Sequence, residues 1–249
     1  MSRRAAGQRI VGGRHPVREL LRAGQPLDRL LVAEGRDTGA DDLVALARQA
    51  GIPVETTERA SLDRRTDGLT HQGVVALAPA FPYVRLEAVF ERIDAADEPA
   101  LLVALDGVTD PHNLGSVARS AEAVGAHGLL LPERRSAAIT PVVEKTAAGA
   151  LAHLPVVQVP NLVRALGELG QAGIWSLGLD AAADTELSEH PLAGEACVLV
   201  VGAEGRGLAR LTRERCDALV RLPMRGHIAS LNASVATGVA LYQLLARRA

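Results

Sequence analysis

From residue 100 to the end, the chain repeats one pattern: an apolar run of strand length, a turn, and a segment of helical character. The runs fall at 101–105, 128–131, 156–159, 174–179, 197–201 and 219–222. Strands that alternate with helices in this way call for a mostly parallel sheet with helices on both faces, because each parallel neighbour needs a crossover connection. The first of these units says most. Its strand runs into the polar turn Asp106-Gly-Val-Thr-Asp-Pro-His-Asn113 and then into an amphipathic helix. Leu114, Val117, Ala118, Ala121 and Val124 recur at helical spacing, and Gly125 is placed to stop the helix. Arg119 falls off that stripe, three residues after Ser116, so the two share a face. Ligands of open α/β sheets bind outside the carboxyl ends of the strands, which is where Asn113 and Gly115 stand.

Residues 9–80 read as a separate, smaller α/β unit. The pattern predicts helices at 16–22 and 41–50 and strands at 29–33, 52–55 and 73–78. A unit of about seventy residues folds alone only marginally. His71, in the turn before the last strand, suits either a ligand contact or the capping of backbone groups. Pro79, Pro82 and Pro99 bracket a stretch with little strand signal and a short helix around 86–95. The expected division is a basic tail at 1–8, the small domain at 9–80, a linker at 81–98 that lets the small domain swing, and the larger domain at 99–249.

Composition removes several classes. No apolar run exceeds strand length, so no membrane span is expected, and the basic N-terminus lacks the apolar core of a signal peptide. Cys197 and Cys216 are far apart, and the seven histidines neither cluster nor form His-Glu-x-x-His. No metal site and no disulfide are expected, and a cytoplasmic location follows. The turn Gly202-Ala-Glu-Gly205-Arg-Gly207 has the wrong spacing for a dinucleotide fingerprint, and no phosphate loop occurs, which disfavours a hydride-transfer enzyme or an NTPase. The first strand of the larger domain lacks the glycine loop of the common methyltransferase architecture. Aromatic residues make up only 2%, against base-stacking platforms. The net charge of −2 does not advertise a nucleic-acid partner, so any such contact depends on how the cations are distributed. All but Lys145 are arginine, which suits either a G+C-biased genome or bidentate phosphate recognition. Arg3, Arg4, Arg9 and Arg14, close together near the N-terminus, are the candidates for such a contact.

Three segments occur in order: Asn113-x-Gly115-x-x-x-Arg119, Gly202-Ala-Glu204-Gly205 and Ser230-Leu-Asn232-Ala-Ser234. Together they resemble the SpoU–TrmH family of RNA ribose 2′-O-methyltransferases over nearly the whole chain, with Ala233 where the family more often has valine. The resemblance implies a SPOUT-type α/β domain with a C-terminal trefoil knot, preceded by a small RNA-binding domain similar in fold to certain ribosomal proteins. It implies S-adenosylmethionine in the knotted cleft, with Gly202 admitting the backbone to it and Leu222, Met224 and Leu231 lining it. It also implies a homodimer paired through the knotted domain. The catalytic set it implies is Arg119, Asn113, Glu204, Ser230 and Asn232. Arginine is effectively always charged, so Arg119 suits the stabilisation of a developing oxyanion with less demand than a general base, and both roles stay open. Asn113 and Asn232 suit positioning, and Glu204 suits an anchor for Arg119 or for a substrate group. Ser230 suits a cap of the last helix as well as catalysis. Core packing is the alternative for Leu222 and Leu231, and gap filling for Met224. The implied substrate is a guanosine of 23S large-subunit rRNA. The alternatives are a tRNA, or an adenosine of the same rRNA in a resistance-type relative. A non-catalytic RNA-binding scaffold is the rival of another class.

Overall fold

The structure, a computed structural model, describes residues 8–35, 39–68, 70–227 and 230–248. Arg3 and Arg4 lie outside them. The chain divides into two compact units: one takes in residues up to Pro82 together with Ala138–His153, the other Tyr83–Ala137 and Leu154 onward.

The first unit runs β1 (Arg9–Gly12), α1 (Arg14–Arg22), β2 (Arg29–Ala33), α2 (Asp41–Gln49), β3 (Val54–Thr57), α3 (Arg59–Arg65) and β4 (Val74–Ala78). Its sheet has the order β1-β4-β2-β3, with β4 antiparallel to both neighbours and β2 parallel to β3. The central strand β4 is buried along its whole length, which explains its unbroken apolar sequence Val-Val-Ala-Leu-Ala. Val74 and Ala76 join Val17, Leu20, Leu43 and Ala152 on one side of the sheet, while Val75 and Leu77 join Ile10, Leu31 and Leu62 on the other. Strand β1 and helix α3 were not anticipated from the sequence. The helix Pro141–Thr146, α6 in chain order, also belongs to this unit.

Two expectations for this unit are settled by its packing. Arg9 is 8% exposed, makes an ion pair of 3.2 Å with the buried Glu144, and stacks its guanidinium 5.4 Å from the Phe81 ring. It is therefore a core residue and not the surface RNA contact expected of it. Burial pushes the Glu144 carboxyl up, and the Arg9 charge opposes that shift. His71 is buried as a backbone cap: its Nδ1 accepts from the Gly73 N–H at 3.1 Å, and its Nε2 lies 2.8 Å from Asp63 Oδ1.

The second unit runs α4 (Leu86–Asp94), β5 (Leu101–Asp106), α5 (Pro111–Ala123), β6 (Gly128–Pro132), β7 (Val156–Val159), α7 (Leu162–Gln171), β8 (Trp175–Leu179), β9 (Thr185–Glu186), β10 (Cys197–Gly202), α8 (Arg210–Arg215), β11 (Ala218–Arg221) and α9 (Ala233–Arg248). The seven strands pair in parallel in the order β7-β6-β5-β10-β8-β11-β9, as the alternating pattern requires. Alternate residues serve opposite faces. Leu102, Ala104, Val198 and Val200 pack with α4 and α7. Helices α5 and α9 pack on each other, α5 against β6 and α9 against β10. Helix α4, within the stretch expected to be a linker, buries Leu86 and Val89 in this core. Among the described residues, no helix is long and apolar enough to cross a membrane.

Candidate active site

The carboxyl edge of the parallel sheet gathers the chemistry. Gly202, the last residue of β10, is in register with Asp106, the last of β5. Past Gly202 the chain folds back on itself: Ala203 N–H donates to Gly207 O at 3.1 Å, and Gly207 N–H to Ala203 O at 2.8 Å. Gly205 and Gly207 hold φ of 73° and 66°, the left-handed region that favours glycine. A Cβ at Gly202 would lie 2.1 Å from the Gly207 carbonyl carbon and 2.4 Å from the Leu208 nitrogen. The backbone that Gly202 admits is thus its own loop. Asp106 closes the turn from the side, its Oδ2 accepting from Ala209 N–H at 2.7 Å.

This turn carries Glu204 onto a polar cluster. Glu204 Oε1 accepts from Asn113 Nδ2 at 3.1 Å, from Ala233 N–H at 3.1 Å, and from Asn232 Nδ2. Asn232 Nδ2 also donates to Asn113 Oδ1 at 2.9 Å. Asn113 is only 5% exposed, near the start of α5, whose N-cap is Asp110. On its other side, Asn232 Oδ1 accepts from Ser234 N–H at 3.0 Å and Val235 N–H at 3.2 Å. That is a helix N-cap, so Asn232, and not Ser230, caps α9. The two asparagine amides are locked in one orientation each, and among the described residues Glu204 Oε2 accepts no bond.

The structure thus joins Asn113, Glu204 and Asn232, one residue from each of the three motifs. It does not join Arg119 or Ser230 to them. Arg119 is exposed on α5 and makes no hydrogen bond or ion pair with any described residue, so Glu204 is not its anchor. Ser230 is exposed and equally unpaired among the described residues. Of the apolar set, Leu222 is buried just past β11, whereas Met224 and Leu231 are exposed. Residues 223–227, between them, make no backbone hydrogen bond with any described residue.

A cleft of about 900 Å³ opens beside the cluster. Asn113 and Glu204 line it, together with Asp106, Arg134, Arg135, Arg206 and Leu211, none of which was singled out from the sequence. No pairing signal marks these arginines in the sequence; only the fold brings the turns after β5, β6, β7 and β10 to one rim. Burial, followed by the nearby Asp217 and Asp106 carboxylates, pushes the Cys216 thiol up to about 12, and burial raises Cys197 as well. Neither is a thiolate near neutral pH, and the described residues contain no metal-binding cluster. The edge is equipped to orient and to stabilise charge, not to form a covalent cysteine adduct.

Fold and edge together define an open-sheet α/β enzyme whose ligand cleft lies at the carboxyl ends of its strands. Residues 100–242 match the SpoU rRNA methylase family, and residues 10–84 match the RNA 2′-O ribose methyltransferase substrate-binding domain. The chain belongs to the SpoU methylase family and is an RNA methyltransferase of the SpoU/TrmH class. It is similar to an uncharacterized tRNA/rRNA methyltransferase of Mycolicibacterium vanbaalenii, 45% identical over 96% of this chain and 76% of the relative. It is also similar to YacO of Bacillus subtilis, a protein named for the TrmH family of tRNA/rRNA methyltransferases, 41% identical over 96% of this chain and 95% of the relative. Among solved structures it resembles the SpoU methyltransferase AviRb of Streptomyces viridochromogenes, with a TM-score of 0.83 and 28% identity over 98% of this chain and 90% of that one. The same protein in complex with AdoMet gives a TM-score of 0.81 at 29% identity, over 98% and 91% of the two chains.

Proposed function

We propose that this chain transfers a methyl group from S-adenosylmethionine to a ribose 2′-hydroxyl of RNA, with a guanosine of 23S large-subunit rRNA as the target. The observation that carries the reading is the hydrogen-bonded cluster of Asn113, Glu204 and Asn232, which draws three distant motifs to one sheet edge. The residues present fit the cofactor. Exposed Met224 and Leu231 offer apolar surface to an adenosine, and the unpaired backbone of 223–227 offers donors and acceptors to its base. When bound, S-adenosylmethionine supplies a methyl group on a sulfonium, which departs as a neutral thioether.

The chain's own residues do the rest. Asn113 and Asn232, fixed by Glu204, position the ribose. The open Oε2 of Glu204 accepts the hydroxyl proton as the oxygen–carbon bond forms. Arg119, a cation without a partner among the described residues, stabilises the charge that develops on the oxygen. Ser230, exposed two residues before Asn232, supplies a further hydroxyl once substrate is bound. The first unit selects the RNA. The working form is a homodimer paired through α9, whose Val235, Val239, Tyr242 and Leu245 form an exposed apolar stripe, and the pairing brings Arg119 to a site it does not reach within one chain. The C-terminal segment forms the knot, and the protein acts in the cytoplasm.

The test is incorporation of labelled methyl groups into total RNA from a strain lacking this gene, followed by separation of the RNA classes. Label in the 2′-O position of 23S rRNA is expected, and Arg119→Ala should lower turnover at least about a hundredfold without changing cofactor affinity. Label in tRNA would overturn the rRNA target, and no label at all would favour a scaffold.

A further inference from the structure

The cleft beside the cluster has an unbalanced charge. Three arginines on its wall, Arg134 and Arg135 in the turn after β6 and Arg206 in the glycine turn after β10, are exposed and make no ion pair or hydrogen bond with any described residue. Four other arginines of this unit are matched to carboxylates: Arg164 to Glu168, Arg210 to Glu214, Arg213 to Asp180 and Arg221 to Glu186. The cleft has acids too, but each already accepts a backbone or amide donor. Asp106 holds Ala209 N–H, Asp110 holds His112 N–H, and Glu204 holds the asparagine cluster. None of these bonds involves an arginine, so the three guanidinium groups stay open to a ligand, as does Glu204 Oε2.

The backbone points the same way. Arg135 holds φ of 60°, a left-handed conformation that a residue with a branched or long side chain rarely adopts. Strain of this kind persists where the surroundings over-determine it, and such outliers cluster at ligand clamps. Here Ala137 N–H, two residues on, is tied to Val108 O at 2.9 Å, which links the arginine turn to the loop leading into Asn113. The turn after β6 thus brings two adjacent arginines, and the turn after β10 a third, to the lining of one cleft. Guanidinium forks match phosphate oxygens two at a time, and a cleft of about 900 Å³ takes more than one nucleotide. Leu211, 57% exposed on the same wall, offers apolar surface to a neighbouring base or sugar.

We infer that Arg134, Arg135 and Arg206 form a phosphodiester clamp that grips the RNA backbone next to the target ribose. The inference rests on the RNA methyl-transfer reading above and adds to it where the strand adjoining the reacting nucleotide is held. A chain of net charge −2 still presents phosphate-binding groups where its guanidinium forks are not tied up in ion pairs.

The experiment uses the full chain with all three arginines changed to glutamine, the same three changed to lysine, and Arg85→Gln as a control that removes an exposed cation elsewhere in the unit. Binding of a fluorescent single-stranded RNA of mixed sequence is measured across a salt series, and S-adenosylmethionine affinity is measured separately. The glutamine variant should bind RNA at least about tenfold more weakly near 0.1 M salt. Its log–log salt slope should fall by about 2, at about 0.7 per phosphate contact on a single strand. The lysine variant should recover the slope but not the full RNA affinity, because a point charge lacks the fork. Cofactor affinity should be unchanged in all three, which also shows that they are folded. RNA binding within twofold of the unaltered chain, or a loss per charge no greater than that of Arg85→Gln, would overturn the clamp. Loss of cofactor affinity alongside RNA affinity would reassign the arginines to the cofactor's carboxylate and overturn it as well. Failure of the unaltered chain to methylate any RNA would count against the proposed function instead.

Discussion

Removing Glu204 should expose how the cluster is held. Its Oε1 receives three donors, but they are not equivalent. Asn113 is 5% exposed, so loss of the carboxylate strands an amide donor where water reaches poorly, a penalty of about 1–3 kcal/mol. Ala233 N–H is one of the unpaired donors at the start of α9, and the loss of a negative charge there removes about 0.3–1 kcal/mol. Asn232 is exposed, and water replaces the lost bond at little cost. Glu204→Ala should therefore destabilise by about 2–3 kcal/mol, most of it through Asn113. If so, Asn113→Ala in the same chain should relieve the penalty, since no stranded donor remains. The double variant should be more stable than the sum of the singles by about 1–2 kcal/mol, as expected of groups in direct contact. Glu204→Gln keeps the acceptor and loses only the charge, so it should fall between the unaltered chain and Glu204→Ala. Urea unfolding of the four proteins, followed by circular dichroism at one fixed concentration, measures the cycle. Additivity within about 0.5 kcal/mol would refute the reasoning, because Asn113 would then not depend on Glu204.

Three further outcomes follow from the same geometry. Gly202→Ala should lower the melting temperature by more than an ordinary overpacked site, about 1–3 kcal/mol, because its Cβ meets backbone and not a flexible side chain; unchanged melting would refute the close approach. Asn232→Ala should destabilise by about 1 kcal/mol as a lost N-cap, while Ser230→Ala should leave unfolding unchanged and alter turnover alone; denaturant melts of the two variants decide it. Val239→Asp with Tyr242→Asp should convert a dimer to a monomer in sedimentation at micromolar concentration, and a monomeric mass for the unaltered chain would remove the dimer altogether.

The parallel sheet was legible because its strands are buried on both faces and read as unbroken apolar runs, as in Leu101-Leu-Val-Ala-Leu105. Strand β1 was not, since Arg9-Ile-Val-Gly12 is short and begins on an arginine that the fold buries against Glu144, a partner 135 positions away. Helix α3, Arg-Ala-Ser-Leu-Asp-Arg-Arg, buries only Leu62, so it has no stripe to read. The same limit governs the site. A motif shows residue types in order, and the three asparagine and glutamate side chains proved to meet because loops at one sheet edge bring them together. Spacing also reports which residues share a helix face, but not what that face meets. Asn113 and Arg119 are six residues apart on one helix, so at about 100° per residue their side chains project roughly 120° apart. One motif therefore supplies two surfaces: Asn113 is held inside the cleft wall, while Arg119 stands in solvent with no described partner. Under the proposed function, an Arg119 that stabilises charge while turned away from its own cluster calls for another surface to complete the site. The exposed apolar stripe on α9, the helix that packs on α5, is where a second copy of the chain would do so.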